Sequence, residues 1–537
     1  MEEYKHSLIT KSFDQLDHLK DLLATLTDRV KDRLPEGEYP ASKDVVKVVA
    51  AGVAGYVVIS KLYTAYFGPL ASLPGPTLLK FVPYRWVVSD KPQGTSYKPV
   101  QQWYRQYGTV YRLGPNSIAV SDKEMIKEAL VTDVIPKGPG YEKLRNESAN
   151  MFNMTNPHEH KQRRRVLSPA FSVKYLNSLE PYMVSTTEAL LQRIDSDIKA
   201  TKQADGYGTT DIWVLLQCLA LDVIGETAFG STFHMLENSQ HFVPLTISKL
   251  MKYSSFLVTH PFIGALRTAF SVSQSLTQIR RLGEFMTQII QARIDAGEAG
   301  RRDDILQILI DSQKALDKDD RLSIPAIANE TILFLVAGSE TTSNTTGFAF
   351  IRLLEKPDQL AKLRAEIDAV PLEPGQNVFR HEQLKELPYL NAVIHETLRI
   401  DSIATDGLER RLAKDTVLGG RVMVPKGTIV NLGIYHAHMN PEYWPEPLEF
   451  LPERWIDEDN KFNAKDKDAF YPFSLGPRNC IGKGFAMQEM RLAIATLVKH
   501  YDFKPIPQEL EDAKDKRQFI TLQVAKNSFR ARIKRRD

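Results

Sequence analysis

A helical apolar pattern runs unbroken from about Ser323 to Lys356, opened by a serine suited to capping and stopped before Pro357. At 1.5 Å per residue it reaches about 50 Å, enough to cross a whole domain. Further helical periodicity falls around residues 179–203, 211–228, 240–253, 273–297, 358–369 and 382–400. Strand signals are few. Thr416-Val417-Leu418, Gly419-Gly420 and Val422-Met423-Val424 read as a hairpin, and Pro425-Lys426-Gly427 turns into Thr428-Ile429-Val430. The expected fold class is therefore mostly α with small β-sheets, without internal repeats or low-complexity tracts. Inside the long pattern, Ala337-Gly338-Ser339-Glu340-Thr341-Thr342-Ser343 is a cluster of poor helix formers, and Gly338 alone costs roughly 0.5–1 kcal/mol. Either the hydroxyls bond back to the preceding turn and kink the rod, or the small residues serve a site.

Composition narrows the function classes. Lys and Arg number 69 against 66 Asp and Glu, a net charge of +3, so no whole-protein cationic field for a polyanion is implied and nucleic acid is not an expected partner. With 43% hydrophobic and 25% charged residues the chain is an ordinary globular one. Its two cysteines, Cys218 and Cys480, give neither a disulfide framework nor a Cys-rich zinc site, and a reducing compartment is expected.

Residues 1–44 carry seven basic and ten acidic side chains, with Ile9, Phe13, Leu16, Leu23, Leu26, Val30 and Leu34 at helical spacing. The spacing argues for an amphipathic segment, on the lumenal side if the next one spans a bilayer, and the acidity against a signal peptide or presequence. Residues 45–67 are mostly apolar, but the run Val48 to Ile59 falls short of the roughly 20 residues that span a bilayer unless Lys47 and Lys61 snorkel. Between Lys61 and Val100, Lys61, Lys80, Arg85, Lys91 and Lys98 outweigh Asp90, which places the C-terminal bulk of the chain in the cytosol. Residues 68–78, with Leu73-Pro74-Gly75-Pro76, read as a stiff hinge.

The most chemically loaded stretch is Phe473-Ser474-Leu475-Gly476-Pro477-Arg478-Asn479-Cys480-Ile481-Gly482-Lys483-Gly484, which leads into a helical run from Phe485 to Tyr501. A cysteine is usually an inert small hydrophobe, and Cys218, in the apolar run Trp213 to Ala220, fits that description. Cys480 instead lies where a glycine loop meets a helix mouth, so N–H groups and the helix dipole are expected to lower its pKa. Such a thiolate can ligate iron, Gly476 and Gly482 let a flat cofactor approach the backbone, and Phe473 can pack beside the sulfur. In these residues the loop resembles the haem-binding signature of the cytochrome P450 monooxygenases, with Phe473, Gly476, Arg478, the axial ligand Cys480 and Gly482 all at its spacing. Three further blocks match, so the resemblance runs from about Pro74 to the end of the chain. It implies the cytochrome P450 fold, a single haem domain over residues 79–537.

The resemblance also implies roles for other residues. Glu396 and Arg399, alone no more than an exposed ion pair, are similar to the family pair that forms a buried structural network with an arginine here matched by Arg454 in Phe450-Leu451-Pro452-Glu453-Arg454-Trp455. Ala337 and Gly338 would admit the haem face, while Glu340 and Thr341 resemble the acid and alcohol that relay protons for oxygen activation. Arg164, with His160 in place of the family's usual Trp, Arg410 in preference to Arg411, and His438 would meet the haem propionates. Phe334, Ala337, Ile403, Ala404, Thr405 and the loop Ile135 to Met154 would face a lipophilic substrate. One departure stands out: Asp401-Ser402 occupies the stretch where the family usually has prolines.

The function implied by this resemblance is a monooxygenase that inserts one atom of O2 into a C–H bond, with haem b (iron protoporphyrin IX) as cofactor. Electrons would come from NADPH through a separate NADPH–cytochrome P450 reductase, with cytochrome b5 as a second donor, because too little chain remains after the last motif for a flavin module. Lys161, Arg163, Arg165 and Lys483 would steer an acidic redox partner. The chain is similar to fungal microsomal members acting on steroids, fatty acids or xenobiotics, which implies a single-pass protein of the endoplasmic reticulum membrane. The competing classes are a non-catalytic haem-thiolate sensor and an isomerase or dehydratase of the same family; the intact Glu340-Thr341 pair argues against both.

Overall fold

Residues 42–88, 93–145, 148–238, 242–259, 274–456 and 461–536 are described by a computed structural model. The helices that position the site are α1 (Ser42–Tyr66), α2 (Pro157–Leu167), α3 (Val173–Thr201), α4 (Ile212–Phe229), α5 (Ile324–Glu355), α6 (Pro388–Ile400) and α7 (Lys483–His500). The long rod is α5, 32 residues without a break, whose N-cap Ser323 accepts from the Ala326 N–H at 3.4 Å. Ser339, Thr341, Ser343, Thr345 and Thr346 all donate to carbonyls one turn back. The back-bonding expected from the sequence is therefore present, yet the helix runs through it.

Tight packing of α4 against α5 accounts for the costly glycine. A Cβ on Gly338 would lie 3.0 Å from Ile224 Cδ1, and one on Gly347 would lie 2.5 Å from the Trp213 ring, which stacks edge-on against Phe348 at 5.1 Å. Gly338 thus serves a helix contact, while its own surface stays half-exposed beside Ala337. Both α4 and Lys47–Tyr66 are long and apolar enough to cross a membrane, but 83% of the α4 window is buried against 6% of the other. Cys218 on α4 is core, as expected, and burial pushes its thiol up to about 12. The amphipathic segment expected over residues 1–44 lies almost wholly outside the described residues.

The periodic stretch 382–400 splits into His381–Leu384 and α6, because Leu387, the residue before Pro388, is held extended. Strands β1 (Val110–Gly114), β2 (Ser117–Val120), β4 (Leu408–Arg411) and β7 (Ile429–Leu432) form one sheet in the order β1-β2-β7-β4, with β2 and β7 parallel. β3 (Gly208–Asp211), β11 (Arg530–Arg535) and β8 (Tyr501–Pro505) form a second. The hairpin expected from the sequence is β5 (Thr416–Leu418) with β6 (Val422–Val424), and β9 (Lys516–Phe519) pairs with β10 (Thr521–Val524) in another. The sheet of β1, β2, β4 and β7 covers its own small apolar core, Ile118, Val120, Val430 and Leu432 among it, apart from the large core among the helices.

Candidate active site

The loop before α7 is shaped by its own backbone. Cys480 N–H donates to the Phe473 carbonyl at 2.8 Å, closing the turn, and Phe473 lies under Lys483 Nζ, 5.9 Å from the ring centre. Gly476 adopts φ +68°, and a Cβ there would sit 2.0 Å from the Leu130 carbonyl oxygen, so its glycine is demanded by the fold and not by a cofactor. Gly482 differs: a Cβ there would touch Cys480 Sγ and Phe171 at 4.0 Å each, so its missing side chain keeps the sulfur's surroundings open. Cys480 itself is exposed on one side. Even so, burial by the surrounding protein raises its pKa, outweighing the Gly482 N–H, Arg164 and Lys483, which lower it. The lowering expected from the helix mouth is thus present but loses to desolvation.

Phe171 connects this loop to α5. Its ring meets Phe334 edge-on at 5.6 Å, and three residues further along α5 Ala337 is exposed in the middle of the otherwise buried rod. Phe334 is itself buried under Phe171, so in this arrangement it walls the cleft without opening onto it. Glu340 is buried beside Asn344, and burial pushes its carboxyl up to about 7. Thr341 is half-buried; its hydroxyl donates to the Ala337 carbonyl at 2.7 Å and retains its capacity to accept.

Cations gather at one edge of the cleft. Lys137 is held well below its usual pKa by burial and by the charges of Arg410, Arg478 and Arg164. Arg478 is lowered to about 10 by burial and Arg410, and the neutral His160 to about 3 by burial, Arg478, Lys137 and Arg164. Among the described residues none of Lys137, Arg164, Arg410 and Arg478 pairs with a carboxylate. Their hydrogen bonds go to neutral acceptors: Arg478 to the Met154 and Thr155 carbonyls at 2.7 and 3.2 Å, Lys137 to Phe152 at 2.6 Å, and Arg164 to the backbone and side-chain oxygens of Asn479 at 2.7 and 2.6 Å. Repelling cations crowded without an anion fit a dianionic ligand, and haem carries two propionates. With an open cysteine sulfur and the exposed Ala337, the donor set fits haem.

Lys137 was not singled out in the sequence, although a lone cation in the Pro- and Gly-rich run Pro136 to Gly140 was a usable signal. Replacing Lys137 by Met is expected to release haem to apomyoglobin several-fold faster, whereas Arg411→Met, on the exposed neighbour of Arg410, leaves the rate unchanged.

Glu396, Arg399 and Arg454 form a fully buried network. Glu396 takes Arg399 Nη2 at 2.7 Å and Arg454 Nε at 3.0 Å, and also the Trp455 indole N–H at 3.0 Å and the Leu451 N–H at 3.1 Å. The two guanidinium groups fasten the following segment by its carbonyls, Pro447 through Arg399 and Pro445 and Phe462 through Arg454, each at 2.8 Å. His438 is tied into this network, while its Nδ1 is buried without a partner among the described residues. Its carbonyl accepts from Arg399, its Nε2 accepts from the Tyr471 N–H at 2.8 Å, and burial and Arg399 lower its pKa to about 3.

The unusual Asp401 is also explained. Buried at the end of α6, it accepts from Arg352 Nε at 2.8 Å and Nη2 at 3.1 Å at the end of α5, and pairs with Lys516 on β9. Although burial opposes it, these two cations hold its carboxyl well below the usual range. An ion triad thus fixes a turn that prolines fix elsewhere. Thr405 follows it away from the cleft, bonding Gln518 and lining, with Asp401, Tyr97 and Tyr435, a separate cavity of about 450 Å³. Ile403 and Ala404 are half-buried, and the Ile403 carbonyl holds the Leu522 N–H at 3.0 Å. On α2, Arg163 turns inward to Glu330 of α5 at 2.6 Å, and Arg165 pairs with Asp317 and Asp320. Of the basic face expected to meet a redox partner, Lys161, Arg165 and Lys483 remain exposed.

Residues 73–531 match the family model described as Cytochrome P450. The chain belongs to the cytochrome P450 family. It is 30% identical over 514 residues to the cytochrome P450 monooxygenase FUS8 of Gibberella moniliformis, covering 92% of this chain and 95% of that one. To the cytochrome P450 monooxygenase acrD of Aspergillus aculeatus it is 30% identical, covering 84% and 89%, and to the cytochrome P450 3A29 of Sus scrofa 31%, covering 84% and 90%. As a cytochrome P450 it is an oxygen-incorporating oxidoreductase with a haem iron cofactor.

Proposed function

We propose that this cytochrome P450 inserts one oxygen atom of O2 into a C–H bond of a lipophilic substrate of the steroid, fatty acid or xenobiotic class. Haem b would be held by Cys480 at the iron and by Lys137, Arg164, Arg410 and Arg478 at the propionates. Electrons reach it from NADPH through a separate reductase, with cytochrome b5 as a second donor. The bound group supplies oxygen activation, which the thiolate promotes by donating electron density. The chain supplies protons and shape. Glu340, with a carboxyl poised near neutrality in an apolar helix, is the observation that carries the reading. A group that titrates near pH 7 can both give up and regain a proton at working pH, and Thr341 one residue on can pass it into the cleft. A sensor has no use for such a pair.

The test is turnover under labelled O2 with a reductase, using lipophiles selected by their shift of the iron spin state. One labelled oxygen in the product is expected; product without label would overturn the monooxygenase assignment. Thr341→Ala is expected to keep haem while diverting most reducing equivalents into peroxide. Because burial raises Glu340, its acid form predominates below about pH 7, so coupling falls as pH rises through 7. Glu340→Gln is expected to flatten that profile, and an unchanged profile would remove Glu340 from the relay.

For location, we read α1 as a single bilayer-spanning helix of the endoplasmic reticulum with the catalytic domain in the cytosol. Its length, its exposure and the basic residues beyond its C-terminal end support this.

A further inference from the structure

We propose that the cavity of about 450 Å³ beside Asp401 is a second binding site, apart from the haem cleft, for a small organic monoanion. Cys480, Ala337, Lys137 and Arg410, which mark the haem cleft, take no part in its walls. Its volume is that of pockets which enclose a drug-sized molecule.

One wall is a single face of the helix Tyr97–Tyr107. Lys98, Gln101, Gln102 and Arg105 stand three or four residues apart and therefore share that face, while Val100 and Tyr104 are buried. The helix contains no acid. Its first residue ties it to β9, because the Tyr97 hydroxyl donates to the Lys516 carbonyl at 3.2 Å. The remaining lining comes from the ends of α5 and α6, from Tyr435 and from the β9–β10 hairpin.

The acids around the cavity are already spent. Asp401 takes both Arg352 and Lys516, and Glu355 takes Arg352 at 3.0 Å, so these four groups cancel. Lys98 meets Asp515 at 3.5 Å and Lys514 meets Glu511 at 2.5 Å. Arg105 is left over. It is exposed, and among the described residues it has neither an ion pair nor a hydrogen bond. The side chains of Gln101 and Gln102 and the Tyr435 hydroxyl likewise have no hydrogen-bond partner among the described residues. A surplus guanidinium beside two amides and a phenol forms a donor set with one uncompensated positive charge, which suits one negative charge.

The lining also has an apolar part. Ile351, Ile400 and Leu522 border the same space, and an inorganic ion would leave them uncovered. A carboxylate or sulfate ester carried on a compact apolar body satisfies both parts at once. Asp401 makes such a cavity possible: it neutralises Arg352 and Lys516 from within, so that the site keeps a single charge to offer instead of three.

The test is calorimetric titration of the full-length holoprotein with 2-naphthalenesulfonate while 4-phenylimidazole occupies the iron, with binding to detergent alone subtracted. Saturable binding is expected, about tenfold tighter than that of 2-naphthol, which has the rings without the charge, and of methanesulfonate, which has the charge without the rings. Arg105→Glu, a change at an exposed side chain, is expected to weaken binding about tenfold with the carbon monoxide spectrum intact. Lys426→Glu, which reverses an exposed charge in the turn after β6, is expected to leave it unchanged. Absence of binding, or its loss when 4-phenylimidazole is added, would overturn a site apart from the haem cleft. Equally tight 2-naphthol would overturn the anion, and equally tight methanesulfonate would overturn the apolar body. Unchanged affinity in Arg105→Glu would overturn the placement in this cavity, as would equal weakening by Lys426→Glu, which would assign the effect to net charge.

Discussion

Replacing Cys480 by serine is expected to yield a folded protein whose carbon monoxide complex lacks the thiolate-type Soret shift and whose turnover falls to background. The effect is chemical and not structural. The loop is closed by the Cys480 N–H and the Phe473 carbonyl, which serine keeps, and the sulfur is exposed, so little packing is lost. In the protein without haem a change at this exposed position costs within about 0.5 kcal/mol, and the thermal midpoint of that form should scarcely move. What disappears is the soft, electron-rich donor, since a serine hydroxyl does not ionise in the range where a thiol does. The optical spectrum decides the matter: an unaltered carbon monoxide band in Cys480→Ser would take the iron away from this residue.

The second large effect is at Glu396. Glu396→Ala leaves Arg399 and Arg454 facing one another, both fully buried, and Arg399 already lowers the pKa of Arg454. Breaking a buried pair in this way costs about 3–5 kcal/mol, a large share of a domain's total stability. The carbonyls of Pro445, Pro447 and Phe462 would then lose their donors, freeing the segment that leads to the Cys480 loop. The expected outcome is protein that accumulates poorly and without haem, measured as haem per polypeptide and as the urea midpoint of what remains. Wild type carries the same weakness in acid. Burial raises the Glu396 pKa, but Arg399 and Arg454 outweigh it and hold the carboxyl below its usual value. Its stabilising contribution is therefore present above the ordinary carboxylate range and is lost as pH falls through the depressed folded value. Haem loss on acidification should follow, and a Glu396→Ala protein with normal haem content would show that the network does not hold the loop.

Local spacing made much of this legible in the sequence. The helix α5, the β5–β6 hairpin, the Cys480 loop and the Glu396–Arg399 step are each set by residues a few positions apart, so periodicity, turn chemistry and short motifs sufficed to place them. Arg454 was reachable because its own short segment is distinctive.

The short strands β1 and β2 escaped notice although Gly114-Pro115-Asn116 joins them, because four or five residues buried at nearly every position show no alternation. Other assignments depended on partners far away in sequence. Gly338, read from its motif as a cofactor contact, also seats Ile224 of α4, and His438 is also tied to the Arg399 network. Lys137 acquires meaning only beside Arg410 and Arg478, Arg163 only beside Glu330, and Asp401 only between Arg352 and Lys516. Sequence by itself determined α5, the β5–β6 hairpin and the choice of Cys480 as the candidate sulfur donor, because helix and turn signals act within a few residues. Tertiary structure alone decided which charges meet, which buried carbonyls an arginine such as Arg454 must satisfy, and whether a thiol's pKa rises or falls, because desolvation and Coulomb interactions depend on distance in space and not along the chain.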